Sequence, residues 1–121
     1  MGELRNLIRS KIVSAVDIKE ETIVIPEWDN VEIVIRGMNG KQRALLMNKA
    51  VDAKKGTVSF SSIYPDACVF CCYTTEGEQV FEPGDVEMLE GKSAAVIERI
   101  ASKALEISGL TNQAEEEIEK N

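Results

Sequence analysis

Apolar positions along the chain fall into two rhythms, one helical and one alternating. Leu4, Leu7, Ile8 and Ile12 recur at helical spacing with Arg5, Arg9 and Lys11 off that stripe, which predicts an amphipathic helix over Leu4–Ala15. An acidic joint, Asp17–Glu21, follows. Thr22-Ile23-Val24-Ile25 is then short, β-branched and closed by Pro26, as suits an edge strand or a strand end. Val31–Arg36 alternates at first and then turns apolar, and Trp28-Asp29-Asn30 between the two runs reads as a turn. Together they predict a β-hairpin.

The Gly37–Gly40 stretch breaks the strand and offers Asn39 as a helix cap. Ala44, Leu45, Met47, Ala50 and Val51 then predict a second helix over Lys41–Ala53, closed by Lys54, Lys55 and Gly56 where the helix dipole favours cations. Thr57–Ser62 alternates like a strand without settling the matter. Ile63–Tyr73 is apolar on nearly every face; Pro65 suits the first turn of a helix, with a buried strand as the alternative. Thr74–Glu78 is a turn, Val80-Phe81 an apolar anchor, and Glu82-Pro83-Gly84-Asp85 opens a short helix through Leu89. Ser93 is placed to cap the most regular helix of the chain, where Ile97, Ile100, Ala101, Ala104 and Leu105 form one stripe and Ser108-Gly109 the stop. The expected fold is α+β and predominantly helical, about five helices with one N-terminal β-hairpin. A single domain over 1–121 is expected, its residues 110–121 an acidic C-terminal helix or frayed tail with four glutamates.

Composition narrows the chemistry. The chain has no histidine, three cysteines and a net charge of −7. That excludes a Ser-His or Cys-His nucleophile, an imidazole base and a histidine metal site. The charge argues against nucleic acid or a membrane surface as partner. The charged N-terminal segment does not fit a signal peptide, and no uncharged run approaches the roughly 20 apolar residues of a membrane span. Reduced thiols in a cytoplasmic setting are expected.

Cys68-Val69-Phe70-Cys71-Cys72 contains the only C-x-x-C. A redox dithiol calls for a helix N-terminus, and a zinc site for four ligands, where this chain has three thiols at one place and Asp66 only by a strained wrap. Packing in an apolar run accounts for these cysteines better. Glu76, Glu78, Asp85 and Glu87 are explained by a turn and a helix start, and Glu115-Glu116-Glu117 lacks the spacing of a calcium loop. The glycines form neither a P-loop nor a dinucleotide fingerprint. No catalytic, cofactor-binding or metal residue emerges. The one candidate contact is Trp28 at the hairpin tip, for which a place at the edge of the chain's own core is the competing explanation.

The order of segments says more than any site. Ile25-Pro26-Glu27-Trp28 with Val31–Arg43, then Tyr64-Pro65-Asp66, Glu76–Phe81, Asp85–Ala95 and Leu105–Leu110 resemble, in order and spacing, the tail assembly chaperones of long-tailed bacteriophages and prophages. The resemblance spans residues 22 to 121. It implies a non-enzymatic assembly factor without cofactor that binds the tape measure protein, keeps it soluble and helps bring tail tube protein around it in the host bacterial cytoplasm, absent from the finished virion. It leaves self-association open, and a longer frameshifted form is common in that family. It also implies small or β-branched residues at the positions of Cys71 and Cys72, in keeping with packing. The client-facing surface expected here combines Trp28 with exposed apolar residues of the last long helix. The alternatives are a structural tail completion or connector component and, behind it, a small thiol redox or metal-binding protein.

Overall fold

The computed structural model, which describes residues 2–52, 57–58 and 63–110, holds five α-helices and five strands in the order α1-β1-β2-α2-β3-β4-α3-β5-α4-α5 among those residues. Helix α1 (Glu3–Ser14) leads by an extended joint into β1 (Glu20–Ile25), and β2 (Val31–Arg36) returns antiparallel to it. A 3-10 turn at Pro26–Trp28, followed by Asp29 and Asn30 with φ of 59° and 58°, joins the two strands. Asp and Asn tolerate that left-handed region better than other non-glycine residues, so the tip follows from its sequence. Directly opposed residues in the ladder include Ile23 with Ile33 and Ile25 with Val31, so one face of the hairpin is apolar.

Helix α2 (Gly40–Ala50) begins at Asn39, whose Oδ1 accepts from the Gln42 N–H at 2.9 Å while the Asn39 N–H donates to Gln42 Oε1 at 3.1 Å. This reciprocal capping box satisfies two backbone donors at the helix start. Strands β3 (Val51–Asp52) and β4 (Thr57–Val58) form a small antiparallel ribbon. Helix α3 (Tyr64–Cys71), with Pro65 in its first turn, runs straight into β5 (Cys72–Tyr73), which pairs with β2. The larger sheet therefore has the order β1-β2-β5, all antiparallel, with β1 at an edge. A 3-10 turn at Pro83–Asp85 opens α4 (Val86–Glu90), and α5 (Ala94–Ile107) completes the described chain.

The core lies where the inner face of the sheet (Ile25, Ile33, Ile35) meets α3 and α5, with Leu46 and Leu89 closing it from the sides. On α5, Val96, Ile97, Ile100, Ala101, Ala104 and Leu105 are all buried. Gly37 permits the end of β2 to approach α5: a Cβ there would stand 3.2 Å from the Ile107 carbonyl oxygen. Helix α5 stops at Gly109, φ +84°, where Leu110 N–H bonds the Leu105 carbonyl at 2.7 Å and Gly109 N–H the Glu106 carbonyl at 3.1 Å. That is a Schellman cap, and buried Leu110 packs where its hydrophobic contact belongs.

The mostly helical α+β class, the hairpin and the order of elements agree with the sequence reading, and several details differ. Helix α2 ends at Ala50, because Val51 and Asp52 turn into the ribbon with β4. Its buried positions are Leu46 and Ala50, whereas Leu45 and Val51 are exposed. The apolar run after Ile63 is helix only to Cys71; its last two residues make the third strand. Ser93 precedes α5 without a side-chain hydrogen bond, so the expected cap is not formed. The expected helix end at 53–56, most of the alternating stretch at 59–62 and the acidic segment 111–121 lie outside the described residues.

Candidate partner-binding surface

The most chemical-looking residues of the sequence are interior. Cys68, Cys71 and Cys72 are unbridged and fully buried, two on α3 and one opening β5. The Cys68 thiol points to the Ile97 carbonyl oxygen at 3.9 Å, across the contact between α3 and α5. Burial, with the charge of Cys68 adding to it, pushes the Cys71 thiol up to about 12. The Cys72 thiol is also raised, first by its hydrogen bond with Cys68 and then by burial. A group held this strongly in its protonated form is a poor nucleophile and metal ligand. Among the described residues no cluster of three or more Cys, Asp or Glu is arranged to hold a metal ion. Of the acidic residues singled out from sequence, Asp85 accepts through Oδ2 from the Glu82 N–H at 2.8 Å, and Glu76 and Glu78 lie in a turn where their backbone N–H groups donate to Thr74 Oγ1.

Trp28 stands at the hairpin tip as expected, half-buried and packed against the core. Beside it, Glu27 takes a bidentate contact from Arg99 of α5, at 3.0 and 2.6 Å. The fork geometry locks the tip onto the helix. That hydrogen bonding holds the Glu27 carboxyl down at about 2, against an ordinary value of 4.5. The pairing thus contributes stability above the ordinary carboxylate value and loses it as pH falls through about 2. In a carbon-detected NMR titration the Glu27 carboxyl should change shift near pH 2, and Arg99→Gln should return its midpoint to the ordinary range. A midpoint near 4.5 in the unaltered protein would mean that the tip is not held this way.

Exposed apolar surface lies elsewhere than the sequence suggested. No large apolar side chain of α5 is exposed; its stripe is core, and half-buried Ile107 packs against that core. This removes α5 from the expected client-facing surface. The physical reason is that its single apolar face is fully used between α3 and the sheet. Exposed instead are Val24 at 49% and Val31 at 42%, on the hairpin near Trp28, and above all the stripe of α1. Leu4, Leu7, Ile8 and Ile12 are 69%, 52%, 48% and 67% exposed, and no residue of α1 is buried. The helical period was visible in the sequence, but periodicity cannot say whether an apolar face meets its own chain.

Concavities are shallow and mixed in character. A groove of about 420 Å³ runs between the start of α3 (Tyr64, Pro65, Asp66), α4 (Val86, Leu89, Glu90) and the start of α5 (Ala94, Ile97), with Lys92 at its rim. A second, of about 400 Å³, lies between the joint after α1 and the β2–α2 turn. Neither gathers a set of groups for catalysis. Among the described residues no helix is long and apolar enough to cross a membrane.

The comparisons with known proteins agree with this picture. A family model described as phage tail assembly chaperone matches residues 3–121. Among solved structures, that of the bacteriophage HK97 tail assembly chaperone superposes with a TM-score of 0.60 at 19% identity, covering 86% of this chain and 94% of that one. At that identity the likeness speaks for the fold alone. No curated protein matches the chain.

Proposed function

Because the chain belongs to the phage tail assembly chaperone family, we propose that it binds the tape measure protein of a long-tailed phage, keeps that client soluble in the host cytoplasm and promotes assembly of tail tube protein around it. The observation that carries this reading is the family match over nearly the whole chain, residues 3–121. The structure is compatible with a non-enzymatic binding role: its thiols are interior, and its surface offers exposed apolar side chains on α1 and the hairpin in a chain of net charge −7. Apolar contacts hold a helical client, while a net charge of −7 keeps the complex from associating further. At the hairpin the candidate contacts are the exposed part of Trp28 and, on opposite faces of the two strands, Val24 and Val31.

Co-expression tests the reading directly. The tape measure protein should be recovered soluble with this chain and insoluble without it, and purified virions should contain none of the chain. A client equally soluble alone, or the chain as a stoichiometric virion component, would sink the proposal. Trp28→Ala should weaken client capture and, since the partly buried side chain packs on the core, also lower the melting temperature. Val24→Thr keeps the side-chain shape and the strand preference. It should weaken capture with the melting temperature unchanged. If Trp28→Ala lowers only stability and Val24→Thr leaves capture intact, the client does not sit on the hairpin.

A further inference from the structure

The exposed stripe of α1 has a distinctive surround. Leu4, Ile8 and Ile12 form one row at i, i+4 spacing, with Leu7 and Lys11 on one side and Arg5 and Arg9 on the other. The helix thus presents an apolar ridge with cations on both flanks, Glu3 being its one carboxylate, in a chain of net charge −7. No residue of α1 is buried by the described part of the chain.

The backbone brings the far end of the chain back to this helix. Gly37 lies between the joint that follows α1 and the end of α5: a Cβ there would stand 3.5 Å from the Lys19 carbonyl oxygen and 3.2 Å from that of Ile107. The Gly37 N–H donates to the Lys19 carbonyl at 2.9 Å, and the Met38 N–H to Ser108 Oγ at 2.8 Å. The same joint and the same end of α5 line the shallow cavity of about 400 Å³. Whatever follows Leu110 therefore leaves the body beside the root of α1. Eleven residues follow, 111–121, among them four glutamates and one lysine. In a helix they would reach ~16 Å, close to the ~18 Å length of α1.

We propose that segment 111–121 lies along α1 of its own chain, antiparallel to it, and covers the apolar ridge. Two observations select this occupant: the place where α5 ends, and the sign of the charge on each side. Because α1 finishes and the segment starts at the same point of the body, the two run in opposite directions. In helical register Ala114 and Ile118 share a face, with Glu115 and Glu119 on one flank and Glu117 on the other. Flanks of the same hand meet in an antiparallel pair, so Arg5 and Arg9 face Glu115 and Glu119, while Lys11 faces Glu117. One isoleucine and one alanine make a weak contact by themselves, but the short tether holds the segment at an effective concentration in the ~mM range. A cover of that strength shields the ridge in the free chain and gives way to a larger apolar partner.

Nuclear Overhauser effects in the full chain with labelled methyl groups test this, with no client present and so independently of what the chain binds. Cross-peaks are expected between the Ile118 methyls and those of Leu4, Ile8 or Ile12, and they should fade in about 1 M salt. Isotope filtering in a mixture of labelled and unlabelled chains should show none of them between chains. Arg5→Glu/Arg9→Glu and, separately, Glu115→Lys/Glu119→Lys should each abolish the cross-peaks and speed amide exchange in α1 about fivefold. The two pairs combined in one chain should restore both, because the charges again oppose. Absence of the cross-peaks from the unaltered chain would overturn the proposal and leave the ridge to a client. Cross-peaks found only between chains would overturn it in favour of a second copy. Cross-peaks that survive both charge reversals, or a combined variant that stays uncovered, would overturn it equally.

Discussion

Ile100→Ala should lower the unfolding free energy by about 3 kcal/mol, within the 2–5 kcal/mol usual for such a deletion in a core. For a chain of this size that is a fall of about 10–15 °C in melting temperature. Ile100 is fully buried at the middle of α5, where the helix faces α3 and the sheet together. Small residues, Ala67 and Cys68 on α3 with Ala101 and Ala104 on α5, all without exposed surface, allow the two helices to lie close. A cavity opened between such closely spaced backbones collapses only in part, which keeps the cost above the lower end of the range. Val13→Ala is the matching control. Val13 is 82% exposed on α1, and its removal should change stability by no more than about 0.5 kcal/mol. Thermal unfolding in dilute solution reads both, and similar costs for the two would contradict the burial described here.

How much of this was legible beforehand differs from element to element, for physical reasons. Helix α5 announces itself because its apolar stripe follows the helical period and is satisfied by one neighbour surface. The hairpin is legible because its two β-branched runs flank a short loop whose Asp29 and Asn30 accept positive φ. Strand β5 is not, since Cys72 and Tyr73 continue an apolar run and become a strand only by pairing with Val34 and Ile35, nearly forty residues away in sequence. The face of α2 was misjudged for a related reason. Leu45 and Leu46 are adjacent and equally apolar, and only the placement of the core decides that Leu46 is buried and Leu45 exposed. Sequence gave the period of α1 in the same way and nothing about what faces it. The candidate surface was the least legible part: Trp28 stood out by residue type, while Val24, Val31 and the α1 ridge become distinctive only once their exposure is known. Family membership, by contrast, was readable from five short stretches in a fixed order, none of which carries chemistry.

Raising the pH from 9 to 11 should remove about 2 kcal/mol of stability through Cys71 alone, the slope approaching about 1.4 kcal/mol for each pH unit once the unfolded thiol is ionised. The thiol stands at about 12 in the folded chain and at an ordinary 9 when exposed, chiefly because burial disfavours the thiolate. Above pH 9 the unfolded chain therefore releases a proton that the folded chain retains, and each further unit favours unfolding. The stabilisation is complete below pH 9 and is lost as the pH rises towards 12. Cys72, raised in the same direction by its hydrogen bond with Cys68 and by burial, steepens the decline. Urea unfolding at a series of alkaline pH values measures this, and Cys71→Ala isolates the thiol from lysines and tyrosines that titrate nearby: the variant starts lower but should decline less steeply. A thiol reagent offers an independent check at pH 8, where all three cysteines should react slowly in the folded protein and rapidly in denaturant. Equal slopes for the two proteins, or native thiols reacting as fast as a free cysteine, would return Cys68-Val69-Phe70-Cys71 to consideration as a reactive dithiol. The expected outcome assigns the three thiols to the core that α3, α5 and the sheet share, the same packing that makes Ile100 costly to remove.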